Sequence, residues 1–391
     1  MAIPLLADLD IREKRVLVRE DLNVPLTDGG VANDARIEAA LPTIRHCMTS
    51  RAGVVLVSHL GRPRPGERDQ ALSLAPVAAA LGDALGCAVR LVDEWENGVD
   101  VDFGEVVLLE NIRFEAGETA NDPVLARRLA ALCDVFVMDA FGTAHRAHAS
   151  TVGVAEAAGV ACAGPLLAAE LNALGRVLDE PARPLVAVVG GAKVSTKLAV
   201  LESLTRVADS IVVGGGIANT FLLASGVRIG ASLAEPDQVA VARRIMSRVE
   251  VPIPVDLMTA TAIDAGLPAR LRLCGEVGGG EMILDIGPAT ARRLSDLVAN
   301  AGTILWNGPL GVFEFDQFGE GTRALAEAIA TADAYSVAGG GDTLAAIEKY
   351  GVGEGISYQS TGGGAFLEYL AGVTLPAVAV LEGRTGVPHP E

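Results

Sequence analysis

Short apolar runs recur along this chain, each followed by a stretch of helical character, and that alternation constrains the fold more than any other feature. "RVLVRED" precedes "DARIEAALPTIRHCM", "VVLVSH" precedes "LAPVAAALGDALG", and "VVLLEN" and "VFVMDAF" follow in the same style. Runs that are apolar throughout indicate parallel strands covered by helices on both faces. The expected class is α/β, with doubly wound parallel sheets whose ligands sit at the carboxyl ends of the strands. A break falls near residue 180, where "LLAAELNALGRVLDE" reads as a helix and "PARP" (181–184) ends it. The alternation then restarts with "PLVAVVGG", "SIVVGGG", "MILDIG", "TILWNG", "AYSVAGGGD" and "ISYQSTGGG". A length of 391 residues accommodates two such domains.

The residues that follow the strands differ between the halves. The first half places Asp21, Asn23, His59, Arg62, Arg113 and Arg146 there, with Arg36 opening a helix; the second half places glycines there. With 49 acidic and 31 basic residues the net charge is −18, which argues against non-specific nucleic-acid or anionic-membrane binding. A basic cluster such as "SHLGRPRPG" (58–66), set directly after an apolar run, therefore reads as a local anion site. Several Arg with His, Asp and Asn at converging strand ends suit a small acid carrying phosphate and hydroxyl groups, because Arg grips phosphate in a bidentate fork.

In "VVGGAKVSTK" (188–197), Gly190 and Gly191 are expected to let the backbone approach a ligand, with a helix starting near Ser195. This is neither a GxxxxGK[ST] loop nor a GxGxxG fingerprint. The chain has 27 arginines and only four lysines, yet two of the four, Lys193 and Lys197, share this loop. Their i, i+4 spacing would place both on one helix face. In "AGGGDTLAA" (338–346), Asp342 is either an N-cap or a magnesium ligand. "STGGGAF" (360–366) is a further glycine turn with room for phosphate. "WNGPLGVFE" (306–314) supplies Asn307 and Glu314, the latter a ribose acceptor or a surface carboxylate.

Five cysteines without a CxxC pair, mostly in apolar runs, indicate buried free thiols in a reducing compartment. The start "MAIPLLADLDIREKR" lacks the order of a signal peptide. The uncharged stretch 210–227 holds Gly214, Gly215, Gly216, Asn219 and Thr220, so it reads as strand, turn and helix and not as a membrane span.

Taken together, "VLVREDLNVP", "SHLGRP", "LLENIRF", "DAFGTAHRAHAS", "GGAKVSTK", "WNGPLGVFE", "GGGDT" and "STGGGAF" resemble the phosphoglycerate kinase family, in order and over nearly the whole chain. The resemblance implies two Rossmann-like domains and transfer of a phosphoryl group between 1,3-bisphosphoglycerate and ADP, with Mg²⁺. It implies a phosphoglycerate-binding domain (1–170 with 376–391, since "LPAVAVLEGR" resembles a segment returning to it), a connecting helix (171–182) and a nucleotide-binding domain (183–375). By the same resemblance Asp21, Asn23, Arg36, His59, Leu60, Gly61, Arg62, Arg113 and Arg146 bind phosphoglycerate. Gly191, Lys197, Gly215, Asn307, Glu314, Gly340, Gly341, Asp342 and Thr343 bind nucleotide, and Gly362 and Gly363 form a phosphate loop. Arg36, Lys193 and Lys197 steady the moving phosphoryl, and Asp342 is the metal ligand. The resemblance further implies a cytoplasmic monomer that bends at a hinge. Glu20 departs from the small or apolar residue expected beside Asp21, and the tail "TGVPHPE" reads as an unstructured extension. A non-catalytic nucleotide-binding protein would be expected to lose Arg36, Lys193 or Asp342, all present; a dehydrogenase would carry the missing fingerprint.

Overall fold

The computed structural model describes residues 3–27 and 30–384; the tail 385–391 lies outside the described residues. These residues form two compact units, one running to Asn172 and resuming at Thr374, the other spanning Ala173–Val373.

The first unit is built on a six-stranded sheet. Its strands are β1 (Arg15–Arg19), β4 (Gly53–Val57), β5 (Val89–Val92), β6 (Val106–Leu109), β7 (Val135–Met138) and β8 (Val160–Ala163), in the order β5-β6-β4-β1-β7-β8. All five pairings are parallel. β2 (Leu26–Thr27) and β3 (Gly30–Val31) form a small hairpin between β1 and the helix Ala35–Thr49. Every residue of β4, β6 and β7 is buried, as expected of strands covered on both faces. The core on one face joins Val16, Val18, Leu56, Leu108 and Val137 to Leu41 and Ile44 of the helix Ala35–Thr49. The helix Pro376–Glu382 belongs to this unit: Ala377 N–H donates to the Ala144 carbonyl at 3.1 Å, and Arg384 Nη1 donates to the Ala158 carbonyl at 2.7 Å.

The second unit holds a five-stranded parallel sheet of β9 (Leu185–Gly190), β10 (Ser210–Gly214), β14 (Thr303–Asn307), β15 (Tyr335–Gly339) and β16 (Tyr358–Ser360), in the order β10-β9-β14-β15-β16. The stretch 210–227 is strand β10 and the helix Gly215–Ala224, as expected, but the strand runs directly into the helix at Gly214–Gly215 with no separate turn. Between β10 and β14 the chain makes a separate three-stranded sheet of β11 (Asp256–Ala260), β12 (Arg270–Leu273) and β13 (Met282–Ile286). That sheet is antiparallel, so "MILDIG" does not continue the parallel alternation as expected. A five-residue apolar run looks alike in either sheet, and strand direction is decided by the connections.

Two other expectations are corrected. The helix after Lys193 begins at Leu198, not near Ser195, so Lys193 and Lys197 do not share a helix face. Local hydrogen bonds compete with the helix there: Ser195 N–H and Oγ both donate to Glu235, at 2.8 and 2.6 Å, and Thr196 Oγ1 donates to the Lys193 carbonyl at 2.8 Å. Of the five cysteines only Cys47 and Cys162 are buried; Cys133 and Cys274 are half-buried and Cys87 is exposed.

Candidate active site

In the first unit the segments that leave β6, β4, β1 and β7 lie side by side, because those strands are neighbours. The chain leaving β1 carries Asp21 and Asn23. Arg36, in the first turn of its helix, donates Nη1 to Asp21 Oδ1 at 3.0 Å and to the Asn23 carbonyl at 2.9 Å. Asn23 Oδ1 accepts the Gly61 N–H at 2.9 Å, and Arg113 Nη1 donates to the Gly61 carbonyl. Arg36, Asp21, Asn23, Gly61 and Arg113 thus form one connected chain across three strand ends. Arg62 projects to the surface beside it, and Arg146 is half-buried, its Nε donating to His145 Nε2 at 3.1 Å. Leu60 is 3% exposed and its main-chain N–H and carbonyl are both held by Asn111, so the structure does not bring it to a ligand-facing position as expected.

The cluster is crowded with like charge. Burial, then Arg146 and Arg19, lower the Arg113 pKa to about 10. Burial and four arginines, led by Arg19, hold His59 well below its ordinary value. Such crowding favours any anion bound among these groups. On the far side of Asp21, Glu20 is buried and hydrogen-bonded to Asp139, so burial and the neighbouring carboxyl push its pKa well up. Asp139 also accepts from Thr43 Oγ1 and, at 3.0 Å, from the Leu167 N–H.

In the second unit the strand ends of β9, β14 and β15 meet. Lys197, directly before its helix, donates Nζ to both the side-chain and the main-chain oxygen of Asn307, the latter at 3.2 Å. Burial lowers the Lys197 pKa to about 8, against the opposing pull of Asp342. Asn307 Nδ2 donates to the Gly339 carbonyl at 2.6 Å, so both ends of its amide are engaged within the unit. Thr343 Oγ1 accepts the Gly308 N–H at 2.8 Å and donates to the Gly339 carbonyl at 2.9 Å. Gly340 sits at φ +100°, and a Cβ there would lie 2.7 Å from Asn307 Nδ2, so this turn excludes side chains by conformation and by space. Asp342 is exposed in the first turn of the helix Gly341–Tyr350, whose N-cap is Gly340; Asp342 is therefore not the cap. Lys193, Gly341 and Glu314 are exposed, Gly191 and Gly215 directly follow β9 and β10, and Gly362 and Gly363 lead into the helix Gly364–Leu370.

Gly190 has a different reason for being glycine than the one expected. A Cβ there would stand 2.0 Å from the Pro309 carbonyl, so it serves the packing of the Gly308–Pro309 segment on the end of β9 rather than the approach of a ligand.

Sequence reasoning overlooked the residues that hold the ligand-facing ones. Asn111 donates Nδ2 to the carbonyls of Leu60 and Leu72 at 2.8 and 2.9 Å and accepts the Leu60 N–H at 3.2 Å, which fixes the loop bearing His59 and Gly61. Arg19, Ser150, Glu118 and Glu235 also escape that reasoning. Asn111 and Arg19 carry a signal, a polar residue ending or following a wholly apolar run, as in "VVLLEN" and "VLVRED"; Ser150, Glu118 and Glu235 carry none.

A family model described as phosphoglycerate kinase matches residues 6–373. Among solved structures, phosphoglycerate kinase from Coxiella burnetii superposes with a TM-score of 0.94 at 49% identity, covering 98% of this chain and 100% of that one. Phosphoglycerate kinase from Pyrococcus horikoshii OT3 superposes with a TM-score of 0.82 at 34% identity, covering 97% and 98%.

Proposed function

This chain belongs to the phosphoglycerate kinase family, and on that premise we propose a division of labour between its two units. The activity is reversible transfer of a phosphoryl group from 1,3-bisphosphoglycerate to ADP, giving 3-phosphoglycerate and ATP. The first unit binds phosphoglycerate through Asp21, Asn23, Arg36, His59, Arg62, Arg113 and Arg146, with the Leu60–Gly61 main chain tying Asn111, Asn23 and Arg113 together. The second binds the nucleotide through the glycines Gly191, Gly215, Gly340, Gly341, Gly362 and Gly363, with Lys197, Thr343 and Glu314. Asn307 serves there by orienting Lys197. The observation that carries this reading is the connected chain from Arg113 through Gly61, Asn23 and Asp21 to Arg36, which presents donors to an anionic acid.

The acceptor is a carboxylate in one direction and an ADP phosphate in the other, both ionised at neutral pH, so no general base is needed. The work is to hold two anions in line and to stabilise charge on the moving phosphoryl, which falls to Arg36, Lys193 and Lys197. Magnesium arrives with the nucleotide phosphates and neutralises part of their charge. Asp342, an exposed carboxylate at a helix start, suits such a substrate-borne ion, and no group of three metal-ligating side chains occurs among the described residues. In-line transfer requires reacting atoms about 3 to 3.5 Å apart in a water-free site, so ligands held on separate units require closure. The helix Pro165–Leu178 and the segment after it, where the chain passes from one unit to the other, are the bending region. The family resemblance implies a cytoplasmic monomer; the net charge of −18 disfavours nucleic-acid and anionic-membrane partners, and no described helix is long and apolar enough to cross a membrane.

The test has two arms. A coupled assay of ATP formation should give turnover that Arg62→Ala impairs through the KM for 1,3-bisphosphoglycerate alone. Small-angle X-ray scattering should show the radius of gyration fall only with both ligands, or with ADP, 3-phosphoglycerate and a metal fluoride; an unchanged radius in every state rules closure out.

A further inference from the structure

Beneath the basic cluster of the first unit runs a buried chain of polar groups that substrate binding leaves without a task. Arg19 ends β1 and is 1% exposed. Its Nη2 lies 3.1 Å from His59 Nδ1, its Nε donates to Ser150 Oγ at 3.0 Å, and its Nη1 donates to the Glu20 carbonyl. Ser150 Oγ donates in turn to Glu118 Oε1 at 2.6 Å, and the Ser150 N–H donates to Glu118 Oε2 at 2.9 Å. Glu118 is itself 1% exposed and is the leading charge that offsets the burial of Arg19. His148 Nδ1 stands 3.5 Å from Glu118 Oε1 at the far end.

A guanidinium donates from every nitrogen, accepts at none and is not deprotonated in proteins. The imidazole nitrogen that faces Arg19 must therefore be the one without a hydrogen. We propose that Arg19 is a positioning residue: anchored by Ser150 and Glu118, it fixes His59 as the neutral tautomer protonated on Nε2, so that His59 meets the substrate as a hydrogen-bond donor and neither as a cation nor as a proton acceptor. Only the last clause rests on the reading of His59 as a substrate-binding residue. The charges that face the ring all agree with a neutral imidazole. They are Arg19 from β1, Arg113 from the turn after β6, Arg146 from the loop after β7 and Arg36 from the helix Ala35–Thr49. A neutral donor adds a hydrogen bond to an incoming anion without adding a fifth positive charge to this crowd.

The test is long-range ¹H–¹⁵N correlation of the full-length, ligand-free enzyme labelled with ¹⁵N-histidine, from about pH 5.5 to about pH 8.5. The chain has five histidines, and His59→Gln assigns the signal. His59 should show the Nε2–H pattern throughout and no titration. Arg19→Gln replaces an obligate donor with an amide that can also accept. It should admit the Nδ1–H form and raise the imidazole pKa by about one unit or more. Arg19→Lys, which supplies only donors, should keep the Nε2–H form. A wild-type ring protonated on Nδ1, or an Arg19→Gln ring indistinguishable from wild type, overturns the proposal. Should Arg19→Gln not fold, Ser150→Ala removes an anchor without changing charge. It should move the His59 nitrogen shifts in the same direction by less, and unmoved shifts overturn the chain. Calorimetric titration of His59→Gln with 3-phosphoglycerate separates the two readings: unchanged affinity refutes the substrate role of His59 while the tautomer result stands on its own.

Discussion

The two units place their candidate site residues at the same structural address, the carboxyl ends of parallel strands, and equip it differently. The first unit presents side chains: Arg36, Arg62, Arg113, Arg146 and His59 stand around Asp21 and Asn23. The second presents main chain, in glycines at the starts of helices, with Lys193 and Lys197, two of its three lysines, beside them. A wall of guanidinium forks reads where the carboxylate and phosphate of a small acid sit, because each fork fixes direction as well as charge. A wall of backbone N–H groups accepts a chain of phosphates with little regard to what lies beyond them. Both walls rest on one buried asparagine, Asn111 at 1% exposure and Asn307 at 2%, whose amide ties neighbouring strand ends together.

If the side-chain wall supplies direction, the largest effect should come from Arg36. Arg36→Ala should lower turnover by about 10³-fold, as for arginine fingers, and Arg36→Lys should recover little because the fork is lost. Steady-state kinetics showing near-normal turnover in the lysine variant would break the comparison.

The lysines of the second wall should separate next. Lys193 is exposed and free to follow a phosphoryl group, whereas Lys197 is held by Asn307. Lys193→Ala should cut turnover by roughly 10²-fold with ADP affinity within a few-fold. Lys197→Ala should weaken ADP binding as well. Calorimetry and kinetics that find equal, small losses in both variants would merge the two roles into one.

A smaller effect should appear with pH. Lys197 is held at about 8, and phosphate binds its charged form. Below pH 8 the lysine is already protonated; above it, ADP binding must take up a proton. Affinity should therefore fall by up to tenfold per pH unit above about pH 8, with proton uptake measurable by calorimetry in buffers of different ionisation heat. 3-Phosphoglycerate, whose partner Arg113 is held at about 10, should keep its affinity to a higher pH than ADP does.

The smallest effect concerns stability. The folded-state pKa of Glu20 is raised, so the native state retains a proton that the unfolded chain releases. Stability is then lost as pH climbs from the ordinary carboxylate range toward that raised value. Glu20→Gln keeps the shape without the proton and should raise Tm by about 2–4 °C at neutral pH, the gain vanishing near pH 4.5. Scanning calorimetry at several pH values checks the sign, and a destabilised glutamine variant at neutral pH would reverse it.

What was legible in the sequence was what local chemistry alone dictates. Uniformly apolar runs announced the parallel sheets, and the residues leaving them are basic in one half and glycine in the other, as the sequence reads. The lysine pair in "GGAKVSTK" stood out because the chain otherwise uses arginine. The tertiary structure decided everything that depends on a partner distant in sequence. Asn111 matters because it meets Leu60, 51 residues away, and Arg19 because it meets Ser150, 131 residues away. Gly190 is glycine because Pro309 packs on it, and the helix waits until Leu198 because Glu235 holds Ser195. "MILDIG" joined an antiparallel sheet because its neighbours came from the same insertion between β10 and β14. A strand's hydrophobicity reports that it is buried; which groups it is buried against, and hence the protonation state of His59 or the orientation of Lys197, is settled only when the strands are side by side.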